Sequence, residues 1–547
     1  MAASERAPLL PDAAGDSAFS ALVDAEHGID PNESTFMPHP QARVERSLAQ
    51  IIVVLGAMWI GTFLAALDGT IVATIFGTVG SEFSVSKSVG WLGTSYLVTQ
   101  TAFQPLYGRM SDIFGRKPAT LFASGVFLGG TLLCGLARSF SGLCAARAVA
   151  GIGGGGLTSM STIVTSDLVS LKMRGTWQGL GNVVFAAGAA LGGPLGGLLA
   201  DRGSSWRLAF LVQVPLGILH FAVVSRKVDI PAGPGRVVDK LRRIDVLGAL
   251  TLVGAVSALL VGLSLGGNEL PWEHPVVLGA LVGALVLAFA FVFVEDRVAR
   301  EPIMPLALMR ERTPACVALT CLFISITVFS VLFNVPLYFT TVLQRLPSSA
   351  GLHLIPNALG ASTFSLGSGI FMARTGTYRT LVLVCGIGGF VGPAMMFLWT
   401  RGVTHEAFLW ATMPWAGAAL GTILTVTLVA LIGSVDPHEM AAATGMSYLF
   451  RAIGSVLGIS LSNALLQNAL RRALYAAGLP PSVAEAIRSD AHVLRELTGP
   501  TLDAALGAYN HAMGQVFLFT TVCGVLAYLC LVPIEEKPLP GHQPHRA

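Results

Sequence analysis

Charge is scarce in this chain. Asp, Glu, Lys and Arg make up 12% of its 547 residues, against about 25% in a soluble domain, while 53% are hydrophobic. With a mean hydropathy of +0.68, the chain carries more apolar surface than an aqueous core can absorb and reads as an integral membrane protein. Its formal net charge is +3, and no stripe of Lys or Arg stands outside the connectors, so nucleic acid is not an expected partner. Cysteine is sparse as well: seven residues, at positions 134, 144, 316, 321, 385, 523 and 530, fall in or beside apolar runs without paired spacing. That pattern supports neither a disulfide framework nor a zinc site; no metal or cofactor is expected, and the thiols read as small buried apolar groups. Also missing are the HExxH, GxSxG and paired-aspartate patterns that would suggest an enzyme working inside the membrane. The first fifty residues are polar and hold no short apolar core followed by a small-residue cleavage site. No secretory signal peptide is therefore expected, and the first span takes over its task.

Long apolar runs are what the chain has instead. Segments near the ~20 residues needed to cross a bilayer occur at about 51–77, 90–108, 118–137, 143–166, 177–200, 206–225, 245–266, 275–294, 315–343, 350–372, 379–399, 408–432, 441–466 and 513–533. About fourteen spans predict an all-α integral membrane fold. With the amino terminus in the cytosol, the cytosolic connectors carry Arg109, Arg116, Lys117, Lys172, Arg174, the basic run 226–243, and the arginines of 297–312 and 374–379. The opposite connectors carry only Lys87, Arg138, Arg202, Arg207, Arg345 and Arg401, so both tails are expected in the cytosol. The connector 434–439 dissents, with no Lys or Arg, and 467–512 is long enough to escape the rule. Within the latter, 482–497 has the pattern of a surface amphipathic helix. In the polar tail Glu5, Leu9 and Leu10 have the acidic-dileucine form that sorting adaptors bind; the alternative is a disordered tail with two incidental leucines. The sequon Asn32-Glu33-Ser34 lies in the same tail, where it is expected to stay unmodified.

Residues 108–117, GRMSDIFGRK, form a charged turn wedged between two apolar runs. Gly108 and Gly115 let two helices turn back tightly, Asp112 and Arg116 can pair on a short helix, and Arg109 and Lys117 reach phosphates or the facing helix end. The turn reads as a conformational latch, with plain positive-inside anchoring as the alternative. Gly369 and Gly376 repeat the seven-residue spacing of Gly108 and Gly115, with Arg374 and Arg379 nearby. Each pair follows the second span of a six-span block, which predicts two homologous halves, spans one to six and nine to fourteen, with spans seven and eight inserted. The expected layout is a disordered cytosolic tail at 1–48, a first half at 49–226, a linker with two extra helices at 227–312, a second half at 313–534 with a lumenal loop at 467–512, and a cytosolic tail at 535–547.

Two charges stand inside spans. Asp68, in LDGTIVAT, costs about 2.5–3.5 kcal/mol at a helix centre on insertion scales and so is expected to face a polar cavity. It reads as a proton acceptor or a counter-charge for a cationic substrate, or else as a structural carboxyl at a helix break near Gly69. Arg147 precedes five glycines among 151–156; it reads as a partner for a nearby carboxyl in coupling, or as an arginine snorkelling to the membrane face. Span five carries Gly188, Gly192, Gly193, Pro194, Gly196 and Gly197, a smooth small-residue face with a proline kink, suited to close contact with a partner helix as two halves rock. Gln178, Asn182 and Asn334 are candidates for lining a cavity, with interhelical hydrogen bonding as the alternative; Gln344 and Arg451 are polar in or beside other spans, and Asp167 reads as an interface residue.

Together these residues resemble the major facilitator superfamily. GRMSDIFGRK is similar to its loop between spans two and three, Arg147 with its glycines to its span-four motif, and GAALGGPLGG to the antiporter motif of the drug:proton exporters. LDGTIVAT with about fourteen spans points to their fourteen-spanner branch. Within it, residues 151–182 resemble the fungal vacuolar basic amino-acid transporters, and the early dileucine and long loop before the last span fit that subgroup. The resemblance implies two six-helix halves plus two inserted helices, and proton-coupled antiport of lysine, arginine or histidine into the vacuole. Asp68 and Arg147 would be coupling or substrate residues. The second-half turn departs from the first, with Ala373 where the acidic residue would stand, which implies an asymmetric latch. Multidrug or toxin export at the plasma membrane and non-transporting nutrient sensing remain open beside this reading, with small-molecule substrate, protons, the lipid bilayer and a sorting adaptor as the implied partners.

Overall fold

Inside a bilayer every backbone N–H and C=O must be satisfied within the segment itself, which leaves helices for a chain of this pattern. A computed structural model describes residues 48–83, 89–201, 206–228, 245–266, 270–299, 301–304, 306–345, 347–436, 438–489, 493–494 and 497–537. Glu5, Leu9, Leu10 and the sequon lie outside the described residues. The first part runs α1 Leu48–Glu82, α2 Trp91–Phe114, α3 Arg116–Leu136, α4 Phe140–Leu168, α5 Leu171–Asp201, α6 Leu208–Leu211 and α7 Val214–Lys227. Then come α8 Val246–Leu265, α9 Pro275–Arg297 and the short α10 Leu306–Arg310. The last part holds α11 Arg312–Thr341, α12 Pro347–Leu352, α13 Ile355–Thr375, α14 Arg379–Gly386, α15 Gly388–Trp399, α16 Glu406–Ser434, α17 Met440–Ala476, α18 Pro481–Ser489 and α19 Pro500–Leu531.

Taking α6 with α7 and α14 with α15, these supply fourteen membrane-length segments, ten of them apolar enough to cross a bilayer by composition alone. The other four are α2, α4, α5 and α13, whose polar and glycine positions turn toward neighbouring helices. The inserted α9 is the opposite case: Val282, Val286, Phe289 and Phe293 form one outward face, 59–68% exposed, as a lipid-facing helix requires. Its partner α8 packs on α2 and α17, and Thr94 and Ser264 share a hydrogen bond of 3.2 Å across α2 and α8.

Without a hydrophobic drive between helices in lipid, close packing needs small residues. The glycines of α4 supply it in two directions. A Cβ at Gly155 would lie 2.6 Å from the Gln100 carbonyl oxygen of α2, one at Gly153 2.6 Å from the Ala123 carbonyl oxygen of α3, and Gly156 abuts both helices through Tyr107 and Ala123. On α5, Gly188 meets the Phe63 carbonyl oxygen at 2.6 Å, Gly192 that of Leu67 at 2.8 Å, and Gly196 that of Ile71 at 2.9 Å, measured to a built Cβ. The partner of this stripe is therefore α1 of the same half, not the opposite half as rocking halves would suggest. Gly193 faces open space, and the surroundings of Pro194 and Gly197 fall outside the described residues.

Several helix ends differ from the expected ones. The segment 467–512, expected as a loop, is largely helical: α17 continues to Ala476, α18 occupies its middle and α19 begins at Pro500. Arg471 and Arg472 end the apolar run but not the helix, which continues to Ala476. Leu470, Leu474, Ala484, Ile487 and Leu494 are buried against Ala505, Tyr509 and Met513, so this region has an apolar core of its own. Span six breaks at Val212-Gln213, just before Pro215, which cannot donate to a continuing helix. At the other end of the half, Glu82 accepts from Trp206 Nε1 at 2.5 Å and pairs with Arg207 at 2.9 Å, and that guanidinium holds the carboxyl below its ordinary range.

The contrast between adjacent glycines of α5 is testable. Gly192→Val is expected to lower the thermal unfolding temperature of the purified protein, at a cost of about 1–3 kcal/mol for overpacking. Gly193→Val, where nothing lies within 4 Å, should leave it unchanged. Equal losses at both positions would mean that the α1–α5 approach is not the constraint.

Candidate functional site

Asp68 and Arg147 form the centre of the first half. Asp68 is 0% and Arg147 1% exposed, and the guanidinium Nη1 donates to Asp68 Oδ2 at 2.5 Å. Arg147 Nε donates to the Leu92 carbonyl oxygen at 3.1 Å, and the guanidinium lies 4.3 Å over the Tyr96 ring. The break in span six delivers the fourth member: Gln213 Nε2 donates to the Ala209 carbonyl at 3.0 Å and to Asp68 Oδ1 at 3.4 Å. One carboxylate thus ties α1 to α4 and to the α6–α7 break, while its guanidinium holds α2. Arg147 does not snorkel. Asp68 does not face an open cavity either, because its cost is met by direct pairing rather than by water. Sequence reading named the two charges and missed Gln213 and Tyr96; an amide two residues before a proline in an apolar run was the available signal.

The 108–117 turn is built differently from a single short helix. Gly115, at φ 101°, takes a conformation that L side chains rarely adopt and separates α2 from α3. Arg116 is therefore on α3 and reaches back across the break to Asp112 Oδ1 at 2.5 Å and Ser111 Oγ at 2.7 Å. Its Nε also donates to Asp167 Oδ2 on α4 at 2.6 Å, so Asp167 belongs to the latch cluster. Arg109 lies 4.0 Å from Asp112, and Lys117 begins α3 beside Arg116. Gly108 faces the other half, since a Cβ there would lie 2.6 Å from the Ala441 carbonyl oxygen at the start of α17.

The second-half repeat matches in backbone and departs in charge. Gly369 on α13 packs against Gly175 at the start of α5, just as Gly108 packs against the start of α17, and Gly376 is left-handed at φ 73°. With Ala373 lacking a carboxyl, the next helix is capped from elsewhere: Glu536 Oε1 accepts from Tyr378 N at 2.8 Å and Arg379 N at 3.2 Å.

Between the halves lies a narrow polar cleft of about 10 Å³, room for one water, lined by Gln178 and Asn182 of α5, Thr427 of α16, and Ser447, Tyr448 and Arg451 of α17, among others. Asn182 Nδ2 donates to Ser365 Oγ at 2.8 Å, Ser365 shares a 2.7 Å bond with Thr425, and Thr162 shares one of 2.7 Å with Tyr448. Asn334 is not part of this lining. It is 4% exposed and donates to Ser330 O at 2.8 Å and Ser462 Oγ at 2.9 Å, joining α11 to α17.

The Major Facilitator Superfamily profile matches residues 58–459, and the chain belongs to that family of transporters. It is 39% identical over 524 residues to the multidrug resistance protein fnx1 of Schizosaccharomyces pombe, covering 94% of this chain and 98% of that protein. To the vacuolar membrane amino acid uptake transporter fnx2 of the same yeast it is 36% identical, covering 98% and 97%. The vacuolar basic amino acid transporter 1 of Saccharomyces cerevisiae is 32% identical, with 81% and 83% covered. Among solved structures, the proton:xylose symporter XylE bound to 6-bromo-6-deoxy-D-glucose superposes with a TM-score of 0.60 at 14% identity, covering 90% of this chain and 98% of that one, a likeness of fold.

Removing one partner of a buried pair strands the other, at a cost of about 3–5 kcal/mol. Asp68→Asn and Arg147→Gln are each expected to destabilise the purified protein on that scale. The double variant should lose clearly less than the sum, read as a coupling in a thermal-unfolding cycle. Additive losses would show that the two side chains stabilise separately.

Proposed function

We propose that this protein is a proton-coupled antiporter that moves lysine, arginine or histidine into the vacuole. The observation that carries the reading is the closed Asp68–Arg147 pair: a carboxylate at mid-span whose only strong partner is one guanidinium is a place where a single proton changes the bonding of three helices. Protonated Asp68 gives up most of its hold on Arg147, which keeps the Leu92 carbonyl and the Tyr96 ring. α1 is then freed from α4 but stays locked to α5 along the Gly188, Gly192 and Gly196 stripe. The first turns of α5 meet α13 at Gly175–Gly369 and at Gly179, where a Cβ would lie 2.7 Å from Leu366 Cα, so motion of α1 reaches the seam between the halves. Gly108 against Ala441 is the matching contact on the other side of that seam, held in shape by Arg116 with Asp112 and Asp167. The vacuolar relatives support the substrate class and the compartment. The domain boundaries given above, cytosolic termini and adaptor recognition of Glu5, Leu9 and Leu10 are parts of the same proposal.

A second reading, proton-coupled export of drugs or toxins, is favoured by the similarity to the multidrug resistance protein of fission yeast. Uptake of labelled lysine, arginine and histidine into vacuolar vesicles energised by ATP separates the two. Uptake is expected to need the proton gradient, to collapse with a protonophore, and to fall at least tenfold in Asp68→Asn. Silence from normally folded wild-type protein would overturn the amino-acid reading and leave drug export or sensing.

A further inference from the structure

Arg147 is fully engaged; Arg451 is not. It is the twelfth residue of α17, which at 1.5 Å per residue puts it roughly 16 Å from the start of the helix, near the middle of a ~30 Å hydrocarbon core. Its guanidinium lies 4.8 Å over the Tyr448 ring and borders the cleft between the halves. Among the described residues no carboxylate, carbonyl or hydroxyl meets that guanidinium within bonding distance. None of the residues lining the cleft is acidic, and the mid-span carboxylate of Asp68 is already taken by Arg147.

An always-charged group held without a partner at this depth is costly, and such residues mark substrate pathways. A guanidinium presents a planar fork that fits a carboxylate with two parallel hydrogen bonds. The neighbours fit the same ligand: Gln178 and Asn182 offer amide oxygens and Thr427 and Ser447 hydroxyls for ammonium groups, while Tyr448, held by Thr162 at 2.7 Å, fixes the plane beneath the guanidinium. We propose that Arg451 grips the α-carboxylate of the transported amino acid, and that this contact separates amino acids from amines that carry the same side-chain charge but no carboxylate. The inference rests on the amino-acid reading above and names the substrate group the cleft recognises. The cationic side chain of lysine or arginine is directed away from Arg451 by like charge, and a cation with no carboxylate meets that charge uncompensated.

Lysine, lysine methyl ester and cadaverine share the side-chain cation and differ at the carboxylate. In vesicles, unlabelled lysine is expected to compete with labelled lysine at least tenfold better than either analogue. Thermal unfolding of the purified protein should rise with lysine and not with cadaverine. Arg451→Gln is expected to raise the KM for lysine by about 10–100-fold, the worth of a hydrogen-bonded charge contact, and to bring lysine and cadaverine within about threefold of each other. Arg451→Lys, which keeps the charge and loses the fork, should fall between; it carries the test if the glutamine variant fails to elute as a single folded species. Lysine uptake that is unchanged in Arg451→Gln, or cadaverine handled like lysine by the wild type, overturns the carboxylate contact and leaves basic amino-acid transport standing. Absence of lysine uptake with Arg451-dependent thermal protection by leucine or glutamine would overturn the basic amino-acid reading and keep the contact. If no amino acid is taken up or protects, both fall.

Discussion

A carboxylate and a guanidinium shut away from water must satisfy each other, because neither can be left alone there. In this protein that requirement sets the geometry of the first half. The glycines of α4 bring it close to α2 and α3, and the Asp68–Arg147 pair joins α1 to that packed group. The remaining bonding capacity of the pair then reaches outward: the guanidinium takes a carbonyl and an aromatic face from α2, and the carboxylate takes an amide from the break in span six. Pro215 matters here through what it withholds: it has no N–H for a continuing helix, and the chain breaks at the residue that reaches Asp68. The polar centre and the glycine packing thus bind different faces of the same helix.

The two halves meet by repeated use of a single device. The second helix of each half brings a glycine against the first turn of the fifth helix of the other half, Gly108 against Ala441 and Gly369 against Gly175. Beside these backbone contacts, side-chain hydrogen bonds cross the same seam, from Asn182 to Ser365 and between Thr162 and Tyr448. The charged groups behind the glycines are not symmetric. Among the described residues Arg116 binds side chains of its own half, Ser111, Asp112 and Asp167, and so shapes the first turn without bridging the seam. The second turn takes its carboxylate from Glu536, beyond the last span. The first half carries its stiffness internally, while the second draws it from the segment that follows α19.

Much of this was written in the sequence, and the parts that were not have physical reasons. Apolar runs of membrane length located all fourteen segments, because lipid leaves helix as the sole option. Helix ends were less legible: hydropathy reports where the apolar run ends, and α17 and α19 extend beyond it. The 108–117 and 369–376 repeats announced the halves through glycine spacing, but the Asp112–Arg116 pair looked like an intrahelical contact until Gly115, with its positive φ, placed the two residues on different helices. Asn334 and Asn182 are the same residue type at similar depth; only packing makes one a bridge from α11 to α17 and the other a wall of the cleft. Tyr96 and Glu536 had no pattern of their own, since their roles come from contacts distant in sequence, and Gln213 was marked only by its place two residues before Pro215.

Fold alone does not decide between the two kinds of relative this chain has, because the same helices serve transporters of unlike substrates. The sign of the charge left over in the cleft is a finer guide. A cationic drug is held best by an acidic or aromatic lining. Here the acidic group at mid-span is consumed internally, and the cleft keeps a guanidinium beside amides and hydroxyls. Neutralising Asp68 with a proton would not supply the missing negative charge; it would make the interior more positive. A substrate that brings its own carboxylate compensates Arg451 locally, while a bare cation does not. On the antiport proposed above, proton and substrate would oppose each other by charge even though Asp68 and Arg451 belong to different halves: a proton on Asp68 adds positive charge to an interior that lysine or arginine, each with a net positive charge, must also enter. An amino acid held by its carboxylate and released as the proton arrives fits that exchange.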